Sequence, residues 1–250
     1  MKKIIKSMLP ILFVLLLWSI GSQFTLPLFL PKPTKVFNSF IELLNNGMLL
    51  NGLLYSFVRI TVAMLLSAAI SIPLGVFIVN NKLVDNIISP ITNFMRYMPV
   101  TAFYPLLMMW VGIDEKMKIT FLFVATFFYF LPSVVLSLKS ISIDLVDTAL
   151  TIGMSKTKVL FKVVLPYSLP NILQTFLMMY GIGWTYVVVA EQVNANYGLG
   201  HIINVSSARG RTDMVFVSLI VILVFSFIFD TYFQNLIKKS FKWKFARELD

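Results

Sequence analysis

Few residues in this chain have the types or the spacing that chemistry needs. It has no cysteine and a single histidine, His201, which excludes thiolate nucleophiles, disulfides and thiolate or imidazole metal clusters together. What remains is charge in apolar surroundings. Arg59, Arg96 and Glu191 lie within or at the ends of long hydrophobic runs. There an ionised side chain costs about 2.5–3.5 kcal/mol on insertion scales, so each needs a reason. Arg96 stands near one end of its run and can snorkel to the surface. Arg59 lies eight residues past Asn51, roughly 12 Å along a helix, too deep to reach water unless it faces a cavity. Glu191 ends a later run at a comparable level, so an Arg59–Glu191 ion pair is the first expectation. Contact of Arg59 with an anionic substrate is the alternative. Gly198-Leu199-Gly200 has the glycines of a phosphate loop, but no strand precedes it and a tight turn is expected.

The elements that must position these charges follow from composition. Hydrophobic residues make up 58% of the 250 and charged residues 13%, about half the charged share of a soluble domain. Such an excess is buried in lipid. Six runs, 8–24, 53–79, 91–111, 119–138, 172–190 and 214–237, each approach the roughly 20 apolar residues needed to span a bilayer. Lipid demands helices or closed barrels, and continuous runs without period-two alternation mean helices. The first run follows Lys2, Lys3 and Lys6 like a signal peptide, but no small-x-small cleavage site follows, so it is expected to be retained. The chain is therefore expected to be an all-α, multi-pass membrane protein, one transmembrane domain over 1–250, with no internal repeat.

The net charge of +10 does not point to nucleic acid, because no polar domain carries a basic stripe. Counted in alternate loops, thirteen basic residues lie on the side of both termini and six on the other, leaving out Arg59 and Arg96. Both termini are expected in the cytoplasm. The outer connector after the first run turns amphipathic, with Phe37, Phe40, Ile41 and Leu44 on one helical face suited to the membrane interface. Prolines interrupt the spans at Pro73, Pro99, Pro105 and Pro132. "RYMPVTAFYP" places two of them close together, which predicts a bent segment lining a path or gate.

One cytoplasmic stretch stands apart. In the loop over 139–166, Ser142 can cap a helix with Asp144 in its first turn. Gly153 can end that helix in the left-handed conformation. Ser155 can cap a second helix, with Val159, Leu160 and Val163 on one face, lysines beside them, and Pro166 closing it. Two short amphipathic helices meeting at a glycine make a knob suited to a groove on a partner. Lysines that merely hold a loop on anionic headgroups are the plainer alternative.

The loop resembles that of ATP-binding-cassette importer permeases, whose pattern is Glu-Ala-Ala, three residues, Gly, nine residues, Ile-x-Leu-Pro. Here it reads Asp147-Thr148-Ala149, Gly153, then Val163-Val164-Leu165-Pro166. Asp147 keeps the charge on a shorter arm, Thr148 replaces an alanine, and Val163 is a mild change. "LPKPTKVF", "MPVTAFYPLLMMWVGI" and "VVVAEQ" followed by "GLGHII" are similar to segments of the nitrate, sulfonate and taurine subfamily. The resemblance extends from about residue 30 to 236.

It implies a type I importer permease in a bacterial inner membrane, read as a homodimer, with two cytoplasmic ATPases and an extracytoplasmic solute-binding protein. Asp147, Thr148, Ala149, Gly153, Ser155, Leu165 and Pro166 would form the ATPase-coupling loop. Arg59, Glu191, Pro99 and Pro105 are the pathway candidates. No catalytic residue, metal or cofactor is expected on this chain; ATP and Mg belong to the partner. A membrane-embedded enzyme would need a nucleophile, base or metal cluster. An ion-coupled transporter would show repeated halves.

Overall fold

The computed structural model describes residues 2–245, without the side chains of residues 2–8 and 11. Arg247 and the side chains of Lys2, Lys3 and Lys6, used in the charge count, lie outside the described residues. Among the described residues the elements are all helical: α1 (Lys2–Phe24), α2 (Pro33–Asn45), α3 (Met48–Asn80), α4 (Lys82–Met95), α5 (Tyr104–Val111), α6 (Glu115–Lys139), α7 (Ile143–Thr151), α8 (Lys156–Val159), α9 (Leu165–Ala190), α10 (Leu199–Ala208), α11 (Thr212–Ser240) and α12 (Lys242–Phe245). Among the described residues four helices are long and apolar enough to cross a membrane: Met48–Asn80, Glu115–Lys139, Lys156–Ala190 and Thr212–Ser240. Leu12–Phe24 and Val100–Val111 are shorter apolar segments.

Three expectations change. The run over 91–111 is not one helix. It divides after Met95, turns through 96–99, tightens into a 3-10 turn at Val100–Phe103 and resumes as α5. Pro99 precedes the 3-10 turn with ψ 94°, and Pro105 opens α5, where its missing N–H costs nothing. The stretch 191–213, read as a loop with a tight turn, contains the ten-residue α10. Pro166 does not close the second short helix. A π turn over Leu160–Val164 joins α8 to α9, so the helix runs unbroken over Lys156–Ala190. The wider turn, in which Leu165 N–H bonds the Leu160 carbonyl, accommodates a residue that lacks an N–H.

The chain forms two compact units, 1–56 with 191–225, and 57–190 with 226–250. In the first, α2 buries Val36, Ser39 and Leu43 and leaves Phe37, Ile41 and Leu44 exposed. Trp18 donates its indole N–H to the Pro31 carbonyl at 3.0 Å and stacks on Phe216. Asp213, 1% exposed, accepts from Ser39 Oγ at 2.6 Å and from Arg211, which also reaches Glu42 at 2.9 Å. These bonds tie α2 to the start of α11.

In the second unit, α6 packs along α9. The seam is apolar, with Phe121, Leu122, Phe130 and Leu131 of α6 and Ile172, Trp184 and Val187 of α9 buried. Small residues let helices close in, as in membrane bundles generally. A Cβ at Gly183 would stand 2.9 Å from Ile60 Cγ2, and one at Gly75 2.8 Å from Val134 Cγ1. In and beside α12, Phe245 packs with Leu177 and Ile237, and Lys244 bonds the Asn171 side chain. Burial pushes the Lys244 ammonium below its ordinary value.

Candidate functional site

The loop after α6 is shaped by its own backbone. Ser142 occupies the cap position of α7 but accepts no capping bond; its hydroxyl instead donates to Asp144 at 3.4 Å. At the other end the chain reverses through Gly153, with φ +86°. Met154 N–H bonds the Ala149 carbonyl at 3.1 Å and Gly153 N–H the Leu150 carbonyl at 2.9 Å, the paired bonds of a Schellman cap. Ser155 then accepts from Lys158 N–H at 3.4 Å and starts the long helix. Asp147, Thr148, Ser155 and Pro166 are exposed, Leu165 is half-buried and Ala149 is buried.

Ile143 and Ile152, 74% and 73% exposed, project apolar surface from this knob. Behind them a cleft of about 360 Å³ lies between α7, α8 and the ends of α3 and α6, lined by Val79, Val146, Leu150 and Val159 among others. Beside it, Lys139 Nζ bonds Asp85 Oδ2 at 2.5 Å. That bond, aided by Ser89, holds the Asp85 carboxyl below its ordinary value.

The intramembrane charges are placed on definite partners. Arg59, 3% exposed, grips Glu115 with two donors, Nε at 2.6 Å and Nη2 at 2.7 Å. Lys118, 1% exposed, reaches the same carboxylate at 3.1 Å from one turn along α6. Glu191 is fully buried in the other unit. It accepts from Ser56 Oγ at 2.8 and 3.0 Å and from Gly200 N–H at 2.8 Å, while Leu199 N–H donates to Ser56 at 2.9 Å. A carboxylate at the start of α10 lies where the helix dipole favours negative charge.

Arg59 and Glu191 fall in different units, and the pair expected between them remains that expectation. Arg96 is exposed, its guanidinium 5.9 Å from the centroid of the Tyr129 ring. Pro99 and Pro105 are exposed on the bent segment. His201 sits half-buried in α10.

Sequence reasoning missed Glu115 and Lys118. The one available signal was that Arg59 needed a carboxylate, but a partner 56 positions away leaves no mark in spacing.

Residues 70–242 match the family described as the binding-protein-dependent transport system inner membrane component. The chain belongs to that family. A Methanocaldococcus jannaschii protein assigned as an ABC transporter permease is 30% identical over 246 residues, covering 96% of this chain and 92% of its own. The taurine transport system permease protein TauC of Escherichia coli is 29% identical over 232 residues, covering 90% and 84%. The fold also matches the MetNI methionine ABC transporter in an inward-facing conformation, with TM-score 0.69 at 18% identity, over 77% of this chain and 95% of that one.

The chain is thus an all-α permease subunit of an ABC importer. It carries no ATPase site of its own, since in this family a partner ATPase hydrolyses ATP, and a binding protein supplies the solute. The matched region includes the whole of the 139–166 loop.

Proposed function

We propose that this permease moves a small oxyanion of the sulfonate kind inward, as a homodimer seated on two cytoplasmic ATPases. The ATPases dock on the 139–166 loop, through the exposed Asp147, Thr148, Ser155, Ile143 and Ile152, with Ala149 packed beneath them. ATP and Mg stay on those partners, and an extracytoplasmic binding protein delivers the solute. Both termini are cytoplasmic, as thirteen basic residues against six favour, and the membrane is a bacterial inner membrane. The taurine permease among the relatives supports a sulfonate, with a small heterocycle as the other class to screen. Pro99 and Pro105 give the pathway its bend, and Arg59 and Glu191 are its charged groups.

One observation carries the docking role: the knob turns at Gly153 and its second helix continues through Leu165 and Pro166 into a membrane span. A groove that grips the knob therefore holds one end of that span.

Gly153→Val tests it. Nothing lies within 4 Å of a Cβ at this position, so the change acts on the backbone alone; a β-branched residue resists positive φ. The variant should insert normally, co-purify less ATPase and lose ATP hydrolysis stimulated by the loaded binding protein. Normal uptake would refute the docking role. Thermal-shift screening of the cognate binding protein against sulfonates and pyrimidines identifies the solute.

A further inference from the structure

Glu115 differs from the two cations it bridges. Arg59 and Lys118 are 3% and 1% exposed, whereas Glu115 is 54% exposed. The cations are buried, and the carboxylate is the exposed member, the one with room to move. It stands in the first turn of α6 after Asp114, whose side chain makes no capping bond. An ionised group at the start of an apolar helix cannot face hydrocarbon, so its open side meets water.

Three donors converge on its two oxygens, at 2.6, 2.7 and 3.1 Å. Arginine's planar fork recognises any flat pair of oxygens, whether carboxylate, sulfonate or nitrate. Swinging Glu115 into water while such an anion enters leaves the charge at the site unchanged, so neither buried cation is stripped of its counter-charge.

We propose that Arg59 and Lys118 form an exchangeable oxyanion site, in which Glu115 occupies the place taken by a small monovalent oxyanion in transit. This rests on the reading of the solute as an anion. It adds Lys118 and Glu115 as specificity-determining residues, and it gives Glu115 the role of competitor rather than contact.

The test is calorimetric titration of ethanesulfonate into the full-length chain in phosphatidylcholine nanodiscs. Neutralising the competitor, Glu115→Gln, should tighten binding about tenfold, the scale of one charge-assisted hydrogen bond. Arg59→Gln and Lys118→Gln should abolish it, with thermal unfolding recorded beside each titration. If Glu115→Gln does not fold, Glu115→Asp serves, because the shorter arm cannot span both cations and should also tighten binding. Equal or weaker binding in the Glu115 variant, or retained binding without Arg59, overturns the proposal.

Repeating the titration with phosphatidylglycerol present separates the sources. Loss of binding there assigns the site to lipid headgroups and overturns the solute assignment. The titration uses neither ATPase nor binding protein, so a failure of the docking role leaves it intact. Conversely, absent binding in a chain that imports sulfonates overturns the site alone.

Discussion

Gly198→Ala should be the most damaging small substitution in the chain. Gly198 has φ +145° and ψ 155°, a region of backbone space that is essentially glycine's alone, and forcing another residue there costs about 1–3 kcal/mol. The added methyl would also stand 2.2 Å from Glu191 Oε2 and 2.3 Å from its Cδ. That carboxylate is fully buried and held by Ser56 and Gly200. Displacing it gives up two charge-assisted bonds of about 1.5–3 kcal/mol each. The sum is roughly 4 kcal/mol or more.

Gly153→Ala supplies the control: its φ of +86° is also positive, but a Cβ there meets nothing, so only about 1–2 kcal/mol of backbone strain remains. At about 2–4 °C per kcal/mol for a chain of this length, thermal unfolding in nanodiscs should separate the two variants clearly. Adding Glu191→Ala to Gly198→Ala removes the clash, so the double variant should cost less than the two single changes together. Equal losses at the two glycines, or strict additivity in the double variant, would show that the carboxylate does not press on Gly198.

Two further outcomes follow from the same structure. The chain has no native cysteine, and Ser155 and Ser207 are both exposed; a cysteine at Ser155 should label only from the cytoplasm and one at Ser207 only from outside. Labelling of both from one side would overturn the proposed orientation. Asp85 is held below the ordinary carboxylate value of 3.8 by its bond to Lys139, so the stability it contributes is present above that value and is lost as pH falls through the lowered one. Asp85→Asn should therefore cost no more than about 1 kcal/mol at neutral pH, with the difference from the native chain vanishing in acid.

What could be read in the sequence was what repeats along it or what the backbone decides locally. Apolar runs announced α3, α6 and α11 because lipid leaves few alternatives to a helix. Gly153 announced its cap because few other residues take that φ cheaply. The break near Pro99 was visible as a bend, but not that it leaves α5 too short to cross alone. Pro166 misled, since a proline near a helix start is as compatible with continuation as with a stop, and the π turn that decides between them has no residue signature. Charge partnerships were the least legible. Glu115 with Arg59, and Asp213 with Ser39, join positions 56 and 174 apart, and only tertiary packing chooses among the available carboxylates.

The helix over Lys156–Ala190 spans 35 residues, about 50 Å from end to end. Pro170 removes one backbone bond inside α9, yet the helix stays continuous, and it behaves as a drive shaft: torsion applied at the knob is carried toward Ala190. The π turn at Leu160–Val164 then sets its phase, because one residue more than an α turn rotates everything beyond it by roughly 100°. Which face α9 turns toward α6, and which azimuth the knob presents at its exposed surface, are two settings of one rotor, fixed against each other by a single inserted residue.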